Sequence, residues 1–318
     1  MNEFEFIKNI KKKYGLDLVG DDCAVLPKDN ENDLLLTADM IVEEIDFKLD
    51  WTTPQLLGQR SLAVSLSDIA AMGGDVTWGM LSLGVPEHLW EPRFLDAFYE
   101  GWHDLAAMYE VDLVGGDVSR TTNRFVIDSI VGGNVPKGKA ILRSGARCGD
   151  GVFVSGPLGG AAAGLKLLKE GMRYDPKSSD PQSLMILKQL RPLPQLRLGK
   201  QLQEDGLATS MIDLSDGLSS DIAHICRASG TGARIFAEEM PFDADLLEVA
   251  GSVDEMLELT LHGGEDFELL FTADPEKLFA AGLSDVFRIG EITDNPGVIE
   301  VVRGGTTELL PAKGYRHF

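Results

Sequence analysis

Between Ser61 and Gly74 the chain carries a single charge. The run Ser61-Leu-Ala-Val-Ser-Leu-Ser-Asp68-Ile-Ala-Ala-Met-Gly-Gly74 is otherwise small or apolar. A helix of this composition has no polar face to turn to water, so it belongs inside a layered fold. Its lone carboxylate then needs a partner or a metal, because an isolated buried charge is costly. A buried ion pair and a helix-end hydrogen bond are the alternatives to metal at Asp68. Thr53 and Pro54 supply a cap and a first turn, so the spacing predicts a helix from there to about Met72.

Around this helix the apolar runs are short and closely spaced. Strands are expected at Asp22–Leu26, Leu34–Thr37, Thr77–Val85, Val111–Val114 and 124–135. Helices are expected over residues 1–13 and Pro92–Tyr109. A loop rich in Gly, Lys and Arg follows, from Pro136 to Asp150. Beyond it come a strand at Gly151–Ser155, a helix at Ala161–Lys169 and a proline-punctuated connection containing one short helix. A strand at Thr209–Leu214, a helix at Leu218–Ala228 and a strand at Phe267–Thr272 complete the clear elements. The 318 residues, 44% of them hydrophobic, suffice for two α/β domains. The expected division is 1–137 and 138–318. Several strands crowd into the first half without intervening helices, so the expected class is α/β with mixed sheets and α+β character.

Charge bears on partners. The formal net charge is −22, which repels nucleic acid and anionic membranes. No apolar run reaches the length of a membrane span, and the first residues lack the basic start and apolar core of a signal peptide. Three scattered cysteines, Cys23, Cys148 and Cys226, form no C-x-x-C pair and suit a reducing cytoplasm. An anionic ligand such as a nucleotide would need bound cations on a protein this acidic.

Carboxylates stand at the ends of several apolar runs. Asp21-Asp22 enters one. Asp39, Asp117 and the pair Asp213 and Asp216 leave others. Strand ends at a sheet rim are common ligand sites, and magnesium takes hard oxygen ligands. Taken singly, Asp and Gly at strand ends are also ordinary turn residues. The glycine-rich turn Ser155–Gly164 has P-loop glycine spacing but continues Leu165-Lys166-Leu167, so it is no P-loop; tight helix–sheet packing accounts for it. The histidines show no metal-ligand spacing, and His224, inside an apolar helix, reads as a core residue. No nucleophile elbow is present. Metal-assisted phosphoryl transfer, which needs positioning and positive charge, is the chemistry these residues can support.

The strings Gly20-Asp-Asp-Cys-Ala24, Thr37-Ala-Asp39, Leu66-Ser-Asp-Ile-Ala-Ala-Met-Gly73, Gly115-Gly-Asp117, Arg143-Ser-Gly145, Ile212-Asp-Leu-Ser-Asp-Gly217, Gly263-Gly-Glu-Asp266 and Lys313-Gly-Tyr315 occur in this order. Each is short, but the ordered set is specific. On it the chain resembles the thiamine-monophosphate kinases of the aminoimidazole-ribonucleotide synthetase-like superfamily, nearly end to end. The resemblance implies a two-domain fold whose N-terminal domain builds a homodimer. It implies a cleft that takes ATP, several Mg2+ ions and thiamine monophosphate. Position by position, it implies metal ligands at Asp22, Thr37, Asp39, Asp68, Asp117, Asp213 and Asp216, with Ala38 contributing through its backbone. Gly116, Asp117, Arg143 and Ser215 take nucleotide positions. Asp46, Glu265 and Tyr315 take acceptor positions, Asp46 standing where relatives often have His. The acceptor is itself an ionised phosphate, so no general base is assigned.

Two other readings compete. One is another ATP-dependent synthetase of the superfamily, of the aminoimidazole-ribonucleotide or selenophosphate type. The second of these expects a reactive N-terminal Cys in a glycine-rich context, which Cys23 does not provide. The other is a non-catalytic divalent-cation-binding protein, which leaves Arg143-Ser-Gly145 and Gly263-Gly-Glu-Asp266 without a role.

Overall fold

The computed structural model describes residues 3–283 and 285–315. The first helix, α1 (Glu3–Tyr14), matches expectation except at Met1 and Asn2, which lie outside the described residues. Then follow β1 (Ala24–Pro27), β2 (Asn32–Val42), α2 (Pro54–Ala71), β3 (Asp75–Pro86), α3 (Pro92–Met108), β4 (Asp112–Thr121) and β5 (Val126–Pro136). Among the described residues these strands form one five-stranded sheet in the order β1-β2-β5-β3-β4. Only the β3–β4 pair is parallel.

The second half runs β6 (Gly151–Val154), α4 (Gly160–Lys169), α5 (Pro181–Leu190), α6 (Leu196–Glu204), β7 (Ala208–Asp213), α7 (Leu218–Ser229) and β8 (Gly232–Phe236). It continues through α8 (Leu246–Ala250), α9 (Val253–His262), β9 (Leu269–Ala273), α10 (Pro275–Ala280), β10 (Phe287–Thr293), β11 (Ile299–Arg303) and β12 (Thr306–Leu309). Its strands form a seven-stranded sheet in the order β12-β11-β8-β10-β6-β9-β7. Here β8–β11 is the parallel pair. Both sheets are mixed, as the clustering of strands implies.

Helix α2 is the centre of the molecule. Its N-cap is Thr53, whose hydroxyl accepts the Leu56 N–H, and Pro54 fills the first turn. Leu57, Leu62, Leu66, Ile69 and Ala70 are buried in one cluster with Leu35, Leu81 and Ile127 of the first sheet and Met211, Leu269 and Phe271 of the second. The helix therefore joins the two sheets and turns no face to water. Neighbouring helices reach it through glycines. A Cβ on Gly101 of α3 would lie 1.9 Å from the Gln55 carbonyl oxygen, and one on Gly199 of α6 would lie 2.1 Å from that of Ala70.

Three elements depart from expectation, the first being β2, which runs on from Thr37 to Val42 in pairing with β5 and so holds Asp39 inside the strand. The connection between Pro176 and Pro194 was expected to hold one short helix. The structure has α5 within it and α6 just after it, with Leu196 and Leu202 of α6 buried. Strand β4 runs seven residues past Val114, because it pairs with β3 through the glycines that read as a turn. It is the outer strand on that side of its sheet.

Because α2 and α3 meet backbone to backbone, Gly101→Val should lower unfolding stability by about 1–3 kcal/mol or more, as overpacking does. Denaturant unfolding will measure it. An unchanged midpoint would mean that the helices can separate without loss.

Candidate active site

On β2 the period of two turns Thr37 and Asp39 toward α2 and puts Ala38 on the outer face. The Thr37 hydroxyl donates to Asp68 Oδ2, so the lone acid of α2 meets β2 directly. From the loop before β1 comes Asp22, and from the end of β7 comes Asp213. One oxygen from each of Asp22, Asp68 and Asp213 lies within 4.8 Å of the others. Arg143 closes the group from the other side. Its Nε donates to Asp22 Oδ1 at 3.2 Å, Nη2 donates to the same oxygen, and its backbone N–H donates to Asp21 Oδ1 at 2.9 Å.

One guanidinium cannot balance four crowded acids. Burial pushes the Asp39 carboxyl up to about 6 and that of Asp213 up to about 7. Asp68 is driven well above the carboxylate range by desolvation and then by the charges of Asp39 and Asp213. Asp22 is raised by burial against the opposing pull of Arg143. Asp22 Oδ2 and Asp39 Oδ2 are buried without a hydrogen-bond partner in the protein. Unsatisfied, mutually repelling hard oxygens are what a divalent cation would complete. The residues fit magnesium.

Asp39 also lines a cleft of about 1300 Å³ between the two halves. Asp46, Ser215, Asp216, Glu265 and Tyr315 line the same cleft. The Asp46 carboxylate accepts the Val42 N–H at 2.8 Å, which holds the turn after β2. Tyr315 sits on a pinned segment. Its N–H donates to the Asp216 carbonyl at 3.1 Å, and the Gly314 N–H donates to Ser220 Oγ at 3.0 Å. The Tyr315 side chain is nonetheless half exposed, at 49%. Anchoring the tail and presenting a ring to the cleft are therefore compatible.

Gly116 and Asp117 stand elsewhere. Both are exposed on the outer strand β4 and belong to neither the carboxylate group nor the cleft lining. The glycine-rich turn before α4 also differs from expectation. Gly164 packs against α5, where a Cβ would lie 2.1 Å from the Met185 carbonyl oxygen, so the close contact is helix on helix. The first amides of α4 are already taken, since Asp266 accepts the N–H groups of Gly159 and Ala161 at 2.7 and 3.1 Å.

Residues 20–135 match the family described as AIR synthase related protein, N-terminal domain, and residues 147–303 match its C-terminal domain. The thiamine-monophosphate kinase of Escherichia coli (strain K12) is 38% identical over 310 residues, spanning 94% of this chain and 91% of that protein. That of Bacillus subtilis (strain 168) is 34% identical over 331 residues, spanning all of both. The solved structure of AaThiL complexed with AMPPCP and TMP superposes with a TM-score of 0.89 at 32% identity, over 100% of this chain and 97% of that one. The chain belongs to the thiamine-monophosphate kinase family.

Three residues of this kinase-family site lie beyond the sequence reading. Asp221 and His224 of α7 bring ligand atoms within 4.8 Å of each other and of Asp216. His224 is thus half-buried beside carboxylates rather than in the core, and burial with nearby Arg143 and Arg227 lowers it to about 4. The Asp221-x-x-His224 spacing on one helix face was the available signal. Arg60 is the third. It is buried on α2 and donates through Nη2 to Glu265 Oε1 and through Nη1 to the Gln189 carbonyl. The argument made for Asp68, a lone charge on a buried helix, applies equally to Arg60.

Raised carboxyl values make the fold pH-sensitive. Asp39 and Asp213 bind protons more tightly folded than unfolded, so folding stability should fall as pH rises through about 6 and about 7. Thermal melting in chelator should show the melting temperature dropping between about pH 4 and about pH 7 and levelling off above, with Mg2+ restoring it at the upper end. A profile that rises with pH, or one indifferent to Mg2+, would contradict this account of the cluster.

Proposed function

We propose that the protein transfers the terminal phosphate of ATP directly to thiamine monophosphate, giving thiamine diphosphate. The observation that carries this reading is the buried set Asp22, Asp68 and Asp213, joined through Asp39 to a cleft large enough for two ligands. Support comes from the relatives' names and from the solved neighbour, which is complexed with AMPPCP and TMP.

In this proposal Asp22, Thr37, Asp39, Asp68, Asp213 and Asp216, with the Ala38 backbone, hold several Mg2+ ions, and Asp117, which stands apart on β4, is left out of the set. Bound there, Mg2+ would supply positive charge beside the ATP phosphates. Arg143 adds a fixed cation, and with Ser215 of the cleft wall it would hold the nucleotide. Asp46, Glu265 and Tyr315 face the acceptor. The acceptor oxygen is ionised at neutral pH, so positioning and charge neutralisation carry the rate and no general base is named. The division of the chain at 137/138 assigns most acids to the first domain and the cleft wall around Glu265 and Tyr315 to the second.

Two copies would associate through β4. Among the described residues no strand lies beside the outer edge of β4, and Val114 and Val118 are exposed on it at 59% and 48%. A homodimer pairing there would cover both. No helix among the described residues is long and apolar enough to cross a membrane. The three cysteines are unbonded, which supports a cytoplasmic location.

Product analysis with ATP, Mg2+ and thiamine monophosphate should yield thiamine diphosphate; metal binding without turnover would favour the non-catalytic reading. Asp68→Asn should reduce turnover by orders of magnitude with the fold intact, and near-normal activity would remove Asp68 from the metal set. Calorimetry should find ATP binding weak in chelator and much tighter with Mg2+. Equal affinities would show that the net charge of −22 is met by something other than bound cations.

A further inference from the structure

Glu265 is held in an unusual way for a residue expected to face a ligand. Its backbone is left-handed, with φ of 68°, a conformation that a non-glycine residue adopts only under strain. Its N–H donates to the Ser215 carbonyl at 2.8 Å, which stitches the loop after α9 to the loop after β7. Both carboxylate oxygens are claimed. Oε1 accepts from Arg60 Nη2, and Oε2 accepts from Gln189 Nε2. Arg60 and Gln189 are only 3% and 4% exposed. They reach Glu265 from α2 and α5, so two separate helices converge on one carboxylate. The Glu265 side chain remains 30% exposed, on the wall of the cleft.

The geometry points to Arg60 and Gln189 as positioning residues that turn Glu265 into an oriented, charge-balanced hydrogen-bond acceptor for an N–H donor on the acceptor substrate. This rests on the proposed function and names the part of thiamine monophosphate that Glu265 reads, its exocyclic pyrimidine amine. An ion-paired carboxylate has little net charge left for the fixed cation of the thiazolium ring. It still has free lone pairs, and Arg60 and Gln189 set their direction.

A purely structural ion pair would be built differently. Arg60 Nε and Gln189 Oε1 are buried without partners, so the clasp leaves two polar atoms unsatisfied in order to seat Glu265. A pair serving stability alone gains nothing from that arrangement or from the left-handed backbone. Asp39, which lines the cleft with Oδ2 buried and unpartnered among the described residues, is the carboxylate suited to a cation there.

The test compares thiamine monophosphate with its deamino analogue, in which hydrogen replaces the pyrimidine amine. Steady-state kinetics with ATP and Mg2+ are measured for the parent chain, Arg60→Met, Gln189→Met and Glu265→Gln, each checked for folding by thermal melting. The parent should prefer the amine by about tenfold or more in kcat/KM, as expected when a hydrogen bond to a charged acceptor is lost. In Arg60→Met and Gln189→Met that preference should shrink toward unity through KM for the acceptor, while KM for ATP stays within about twofold. If Arg60→Met fails to fold, Gln189→Met carries the test. Equal loss on both acceptors, or preference retained in the folded variants, overturns the inference. No phosphorylation of thiamine monophosphate by the parent would instead overturn the proposed function.

Discussion

Everything in this molecule depends on burying α2. A helix without a polar face has to be covered on all sides, and here two mixed sheets and helices α3 and α6 cover it. Its two charges then have nowhere to go but to partners. Arg60 finds Glu265 and Gln189, and Asp68 finds Thr37 and the carboxylates of Asp22 and Asp213. The same hydrophobic constraint that folds the chain therefore delivers one cation to the cleft wall and one anion to the carboxylate group. Eight residues of helix separate them, about 12 Å of rigid rise.

That rigidity explains why the acids can be crowded at all. Charges of one sign are held together only if the scaffold cannot relax, and α2 is locked by backbone-to-backbone contact at Gly101 and Gly199. Burial raises the carboxyls of Asp39 and Asp213, which stores electrostatic strain in the metal-free fold. Binding a divalent cation would release it. Stability and function are in this way linked through the same few oxygens.

Helix α2 was legible from Thr53, Pro54 and the absence of charge, because those signals are local. Asp39 and Asp213 were legible as acids beside apolar strands, and the ordered strings carried the family and the class of fold. What brings Asp22, Asp68, Arg143 and Asp213 together was not legible, since strand pairing over more than a hundred residues decides it. Strand β4 was read too short because Gly115 and Gly116 look like a turn when the partner strand is unknown. Helix α6 was hidden by Pro192 and Pro194 just before it. Arg60 escaped because it falls one residue before the uncharged run, so the run looked as though it held a single charge.

The occupied start of α4 has a consequence for what this cleft can hold. In many nucleotide-binding folds the first amides of a helix grip a phosphate directly. Here Asp266 already sits on the amides of Gly159 and Ala161, and its negative charge faces the place an anion would take. Backbone recognition of a triphosphate at this turn is blocked, and in the proposed function bound cations would take over that task. Competitors that merely mimic a phosphate would find no cradle there. Ligands that carry or chelate a divalent ion would meet the full row of acids, so the chemistry of inhibition at this site is coordination chemistry.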